Sequence, residues 1–408
     1  MLNKDGQREL AYVVLVDGIE ELPGYDRVES AIIGGWRCIV PKGQFKVGDP
    51  GIYFEIDSKV PNTNPAFAFL EKRNYKIKTQ KMCKSISQGL LMHAEDFGWK
   101  NGLDADGHAL IYDPKDNSRI WYAEGEDRFL TKELNITYAD VEDNQRKAPS
   151  VDKYKKMAQR HPEIFRKPFV RWLMKRQWGK NLMFFLFGKK KDKKNGWPEW
   201  VSKTDEERIE NMPWILTDKT KEWIATEKID GTSTTFTMKR GKRGKKEMYV
   251  CSRNVCFDTI EKPCYYETNV YWEMAQKYDV FNVLSHIIDE LGCDWVTIQG
   301  ETYGEGIQRN TYDLNYHDFR AFNLITSDKG RWNTIDMEKY LTPLGVFSVP
   351  ILNEGMVLPD TVEELREFVN GEPSVINKKM KEGIVFRTKD GVQSFKCVSP
   401  EYLLKFHG

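Results

Sequence analysis

Apolar positions in the first third of the chain fall in short runs rather than helical stripes. AYVVLV (11–16), WRCIV (36–40) and GIYFEI (51–56) are β-branched and aromatic, and PG, GG, PKG and VGD turns separate them. Short strands at this spacing predict a small barrel or sandwich over residues 10–130. The turn-rich GLDADG (102–107) precedes one more candidate strand, ALIYD. From residue 204 onward the pattern becomes α+β. WIATEKI, STTFTMK, MYVCSR, DWVTIQG, FRAFNLI, GIVFRT and SFKCV read as strands, alternating with helical stretches such as 268–291 and 361–370. TDEERIEN (204–211) reads as a short helix start, with Thr204 as cap and Glu207 three positions on. The chain shows no internal repeat and no low-complexity tract.

Between these regions the polar pattern changes sign. Residues 151–203 hold sixteen Lys or Arg against four acids, a net +12, and the rest of the chain carries −11. The formal total of +1 therefore conceals a strongly basic segment. Trp172, Trp178, Phe184, Phe185 and Phe187 lie among its cations. Three readings stay open: a solvated helical face with core aromatics, a grip on a phosphodiester backbone, and a basic amphipathic helix at a membrane surface.

The 408 residues are enough for two or three domains with their own cores, and 40% hydrophobic with 12% aromatic content describes a globular protein. The seven cysteines form no CxxC pair and the six histidines no HxxxH, so neither a zinc site nor a disulfide framework is expected. MLNKDGQREL lacks an apolar signal core, and the longest apolar run, Leu182 to Phe187, is too short to span a bilayer. A soluble, cytoplasmic protein with no integral membrane segment is the expectation.

Candidate chemistry begins at Lys228-Ile229-Asp230-Gly231, a lysine at an apolar strand end followed by a tight polar turn. Alone it also fits a lysine beside a DG hairpin turn. Downstream, in order, come Ser252-Arg253-Asn254, Gln299-Gly300-Glu301, FRAFNLI (319–325), Glu382-Gly383 and Lys396 in SFKCV. This ordered set resembles the covalent nucleotidyltransferase superfamily of ATP-dependent ligases and capping enzymes, and is most similar in wording to nick-sealing RNA ligases. GYDRVESAIIGGWRCIVPKGQFKVGDPGIYFEIDSKVP and YKIKTQKMCKSISQGLL resemble the N-terminal OB-fold domain of the fifth RNA ligase family, and PEWVSKTDEERIENMPWIL resembles its linker. About three quarters of the chain is covered, the basic segment excepted.

The resemblance implies an OB-fold β-barrel over 1–135, a basic linker or insertion over 136–203, and an α+β adenylyltransferase domain of antiparallel sheets with flanking helices over 204–408. It implies an ATP-dependent RNA ligase that passes through lysyl–AMP and RNA-adenylate, acting as a monomer on RNA 3′-OH and 5′-phosphate ends at nicks in duplexes. Lys228 is then the nucleophile, Glu301 and Glu382 hold Mg²⁺ or Mn²⁺ through water, and Lys396 neutralises the α-phosphate. Phe322 stacks on adenine, Arg253 contacts a ribose or the RNA phosphate, and Gly231 and Glu227 flank the nucleotide, the backbone near Glu227 reading the base edge. A phosphate-contacting second lysine found in many relatives is Val398 here. The sequence runs only twelve residues past Lys396, so no C-terminal OB domain is expected, and Arg208 is the candidate to hold the β- and γ-phosphates. Its alternative is a helix-surface pair with Asp205. The N-terminal domain is expected to grip the duplex and to serve sealing more than enzyme adenylylation. Rival readings are a DNA ligase or capping-type enzyme, or a catalytically silent nucleic-acid-binding protein on the same fold.

Overall fold

The computed structural model describes residues 1–139 except Gly6, then Val170, Leu173 and Met183, and 197–406 except Thr204, Asp258, Pro263 and Glu372. The expected roles of the basic 151–196 segment therefore lie outside the described residues.

Described residues up to 138 form strands and 3₁₀ turns. Ala11–Leu15 pairs antiparallel with Pro50–Phe54, which also pairs with Leu90–Met92. Gly18–Glu21, Val28–Ile33 and Trp36–Pro41 make a second sheet, and Lys100–Leu103, Ala109–Asp113 and Asp116–Tyr122 a third. Alternation drives these strands: Trp36, Cys38 and Val40 turn inward while the residues between them stay partly exposed. One core gathers Val13, Phe54, Phe67, Trp99 and Trp121, a second Tyr12, Trp36, Val40 and Tyr53. The second core also takes in Val398 and Leu403 from the far end of the chain. Val398 therefore contributes to an apolar joint between the two halves, which accounts for an aliphatic side chain where the resemblance leads one to look for a second lysine.

The C-terminal half is built on two antiparallel sheets. The larger runs Cys256–Phe257, Lys246–Ser252, Thr232–Arg240, Trp295–Gly304, His317–Thr326, Gly330–Arg331; the smaller runs Ile351–Met356, Trp223–Lys228, Gly383–Thr388, Ser394–Val398. Helix Val280–Leu291 buries Val280, Val283, Leu284, Ile287 and Ile288, a helical stripe packed with Phe236, Met238, Ile298 and Leu324. Helix Val362–Gly371 backs the smaller sheet, placing Leu365 and Val369 with Trp223, Phe386 and Phe395. The helical stretch read over 268–291 is two helices, Val270–Lys277 and Val280–Leu291, broken where Asp279 adopts a left-handed conformation.

The helix start read over 204–211 is corrected. Residues 205–207 are irregular, Arg208 bridges in parallel to Lys396, and a single 3₁₀ turn covers Ile209–Asn211. Tertiary contacts consume this segment's polar groups: the Lys396 amide donates to Glu207 O at 2.7 Å, and Gly35 N donates to Glu210 O at 2.8 Å. Such partners override a local capping preference. Among the described residues no helix is long and apolar enough to cross a membrane.

Candidate active site

The chain crosses from the smaller sheet to the larger between Lys228 and Thr232. Gly231 makes that crossing tight, since a Cβ there would stand 2.4 Å from Thr302 O and 2.9 Å from Glu301 Cγ. Glycine is the residue that fits so close a backbone approach. Lys228 ends its strand opposite Gly383, so Glu382 arrives beside it, and the two side chains meet at 2.6 Å (Nζ to Oε1). Val385 pairs with both Thr226 and Lys396, two residues along from the Lys228–Gly383 row. With a strand period of two, Lys228 and Lys396 emerge on the same face. Glu301 comes from the other sheet, opposite Ser233. The structure thus brings Lys228, Glu382, Lys396 and Glu301 to the junction of the two sheets.

Their charges are strongly coupled. Burial would lower the Lys228 ammonium, but Glu382, Glu301 and Asp230 outweigh it and hold the group above its ordinary value. Burial pushes the Glu301 carboxyl up to about 8, with Glu382 and Asp230 adding to the rise and Lys228 opposing it. Three carboxylates thus act on one part-buried lysine, an excess of negative charge that a hard divalent cation held through its waters would offset. Burial, with Arg8, Arg208 and Lys228 nearby, pushes the Lys396 ammonium down to about 8 while Asp205 pulls the other way.

Arg208 stands next to this group through its bridge to Lys396, and its Nη2 donates to Asp57 Oδ2 of the N-terminal half at 2.9 Å. The alternative pair with Asp205 does not form. Asp205 instead contacts Lys396 Nζ at 2.8 Å, Arg253 Nη2 at 2.9 Å and Arg8 Nε at 3.1 Å. Arg253, half exposed, is therefore within the cationic group.

Phe322 falls at a β-bulge, because Gln299 pairs with Asn323 and Gly300 with Ala321, leaving it without an opposite residue. It packs against the cluster of Ile229, Tyr303, Tyr312 and Val349, and the Arg387 guanidinium lies 5.9 Å from its ring centre. Glu227 has partners of its own. Its amide donates to Pro350 O at 2.9 Å, and its carboxylate accepts from Ser374 Oγ at 2.5 Å and Val375 N at 2.8 Å. The amide is thereby engaged, and the carboxylate anchors the 374–376 segment. Ile376 of that segment packs against the same cluster as Phe322.

Sequence reasoning missed Arg8, Asp57, Asp205, Glu206 and Tyr402. Arg387 Nη2 donates to Glu206 Oε1 at 2.8 Å, and Tyr402 OH donates to Asp230 Oδ2 at 2.7 Å. The acid-rich DEE run offered a signal for Asp205 and Glu206. Nothing near Arg8 marked it, because its partners Asp205, Glu206 and Glu207 lie about two hundred positions away and Glu55 lies 47 positions away.

Known proteins match both halves of the chain. A family model described as RNA ligase matches residues 221–405, and an OB-fold domain model matches residues 10–94. None of the curated protein sequences matches the chain. Among solved structures, a point mutant of Naegleria gruberi RNA ligase with ATP and Mn is similar at 25% identity and a TM-score of 0.70, covering 98% of this chain and 100% of that one. The Naegleria gruberi ligase with PPi gives 25% and 0.69, covering 97% and 98%. A further mutant with AMP and Mn gives 25% and 0.68, covering 97% and 98%.

Proposed function

We infer, from the premise that residues 221–405 belong to the RNA ligase family and residues 10–94 form an OB-fold domain, that this chain is an ATP-dependent RNA ligase. The observation that carries the reading is the convergence of Lys228, Glu382, Glu301 and Lys396 at the junction of two sheets. That set suits phosphoryl-group transfer, where positioning and charge neutralisation supply most of the catalysis.

Lys228 Nζ attacks the ATP α-phosphorus and the pyrophosphate oxygen leaves, giving lysyl–AMP. An RNA 5′-phosphate oxygen then displaces Lys228 and takes the AMP. Finally the RNA 3′-OH attacks that 5′-phosphate, AMP leaves, and a phosphodiester joins the strands. Lys396 neutralises charge developing on the α-phosphate, and Arg208 offers a guanidinium fork to the outer phosphates. Phe322 stacks on the base and Arg253 holds an RNA phosphate or ribose. Glu301 and Glu382 would hold Mg²⁺ or Mn²⁺ through its waters, which supplies neutralisation of phosphate charge and draws the carboxylates off the Lys228 ammonium. Lys228 must lose its proton before attack, since an ammonium has no lone pair.

We read the physiological ends as 3′-OH and 5′-phosphate at duplex nicks, the enzyme as a monomer, and its compartment as a reducing cytoplasm, in keeping with seven free cysteines. The test is sealing of a nicked duplex with ATP and Mg²⁺, compared with single-stranded ends, with DNA 3′-OH ends and with GTP. Sealing of the RNA nick with ATP is the expected result. Preference for DNA 3′-OH ends or for GTP would move the chain to a different member of the superfamily.

A further inference from the structure

Three basic side chains from three separate parts of the chain meet on one carboxylate. Asp205 Oδ1 lies 2.8 Å from Lys396 Nζ, and its Oδ2 lies 2.9 Å from Arg253 Nη2 and 3.1 Å from Arg8 Nε. The Asp205 side chain is 13% exposed, Lys396 14% and Arg8 6%, so solvent screens the Lys396 and Arg8 contacts little, while the contact with half-exposed Arg253 is more open. The segment on which Asp205 sits is fixed on both sides. Arg8 Nη2 donates to Glu206 O at 3.1 Å, and Arg387 Nη2 donates to Glu206 Oε1 at 2.8 Å. The Lys396 amide donates to Glu207 O at 2.7 Å, so the backbone carrying Lys396 is tied to the same segment.

We propose that Asp205 is a positioning residue for adenylylation: its carboxylate fans Lys396, Arg253 and Arg8 around one point, so that Lys396 reaches the α-phosphate charged and correctly aimed. This rests on the reading of Lys396 as the α-phosphate cation. Two considerations favour a built device over an incidental ion pair. Exposed pairs contribute little, whereas a carboxylate shared by two largely buried cations, Lys396 and Arg8, and by the half-exposed Arg253 is held chiefly by the buried two. The surroundings also make a counter-charge necessary. Facing Lys396 and Asp205 are the cations Arg8, Arg208, Arg253 and Lys228, and the nearby acids are Glu55, Glu207 and Asp57. Burial and those cations already bring the Lys396 ammonium down to about 8, against the pull of Asp205. Without Asp205 the lysine would lose its proton still more readily, and a neutral amine neutralises no phosphate charge.

The test uses the full chain. The Lys396 ammonium is followed by NMR of ¹⁵Nζ-labelled lysine, its resonance identified by its absence in Lys396→Met, without nucleotide or metal. Adenylylation is measured separately with α-labelled ATP. Asp205→Asn is expected to move the Lys396 titration to lower pH by one unit or more. It should also slow adenylylation at saturating ATP at least tenfold, with the KM for ATP changed less than threefold. Asp205→Glu, which keeps the charge, is expected to restore the titration and most of the rate. An Asn variant with an unmoved titration and wild-type rate overturns the proposal, as does a folded Glu variant no better than Asn. Should Asn prevent folding, Arg8→Lys gives the same decision: a positioning network predicts slower adenylylation at unchanged KM, and a wild-type rate refutes it. Were wild type to form no lysyl–AMP, the ligase reading would fail, while the titration would still decide whether Asp205 governs Lys396.

Discussion

Replacing Glu301 by Gln is expected to stabilise the protein while disabling it. The Glu301 carboxyl is raised from an ordinary 4.5 to about 8, chiefly by burial and then by Glu382 and Asp230. A carboxyl raised in the folded state costs nothing below its unfolded value. Its cost grows as pH rises through the interval between the two values and levels off above the folded one. Each pH unit within that interval is worth about 1.4 kcal/mol, which sets a ceiling of about 3 kcal/mol at pH 7. The value of about 8 already includes the attraction to Lys228, and the partial openness of the junction reduces the ceiling to about 1–3 kcal/mol. Gln keeps the shape without the charge, so the gap between variant and wild type should be small near pH 5 and widen towards pH 8. Urea unfolding across that range, read at the transition midpoint, measures it. Mn²⁺ supplies a second arm: a cation bound by Glu301 in the folded state stabilises wild type by mass action, about 2.7 kcal/mol at a hundredfold excess over Kd, and should do much less for the Gln variant. A Gln variant no more stable than wild type at pH 7.5, with an identical pH slope, would refute the electrostatic reasoning. Equal stabilisation of both proteins by Mn²⁺ would remove Glu301 from the metal set.

Arg208→Ala is expected to cut kcat/KM for adenylylation at least tenfold, and an undiminished rate in a labelled-ATP assay would end its assignment to the outer phosphates. Trp223, fully buried between Phe395 and the helix-facing cluster, should cost about 3–5 kcal/mol on replacement by Ala, seen in chemical denaturation. Trp223→Phe should cost much less, because the indole Nε1 is buried with no hydrogen-bond partner among the described residues and its removal strands none of them. Removing residues 1–139 should impair lysyl–AMP formation as well as sealing. That revises the division of labour read from sequence, since Arg8 and Asp57 reach Asp205 and Arg208 directly. A truncated protein that adenylylates normally would restore the earlier view.

What was legible in the sequence was local. Strand runs such as GIVFRT and SFKCV are found at the positions their β-branched and aromatic residues predicted, because period-two burial is written in neighbouring residues. Lys228, Glu301, Glu382 and Lys396 were picked out by their order, and strand register within the smaller sheet together with the tight crossing at Gly231 brings them close. What was illegible depends on pairings across the fold. TDEERIEN reads as a helix start by its own propensities, yet Arg8, Arg387 and Lys396 claim its carboxylates and carbonyls. The partners of Glu227 were equally hidden, since Ser374 and Val375, nearly 150 positions on, take its carboxylate. Val398 looked like a missing cation and is an apolar contact in a core shared with the N-terminal half.

The central claim is that Lys228 forms a covalent bond to AMP. Incubating the protein with α-labelled ATP and Mg²⁺, followed by denaturing electrophoresis, tests it most directly. The account predicts label on wild type and none on Lys228→Ala; an unlabelled wild type, or equal labelling of both, would contradict it.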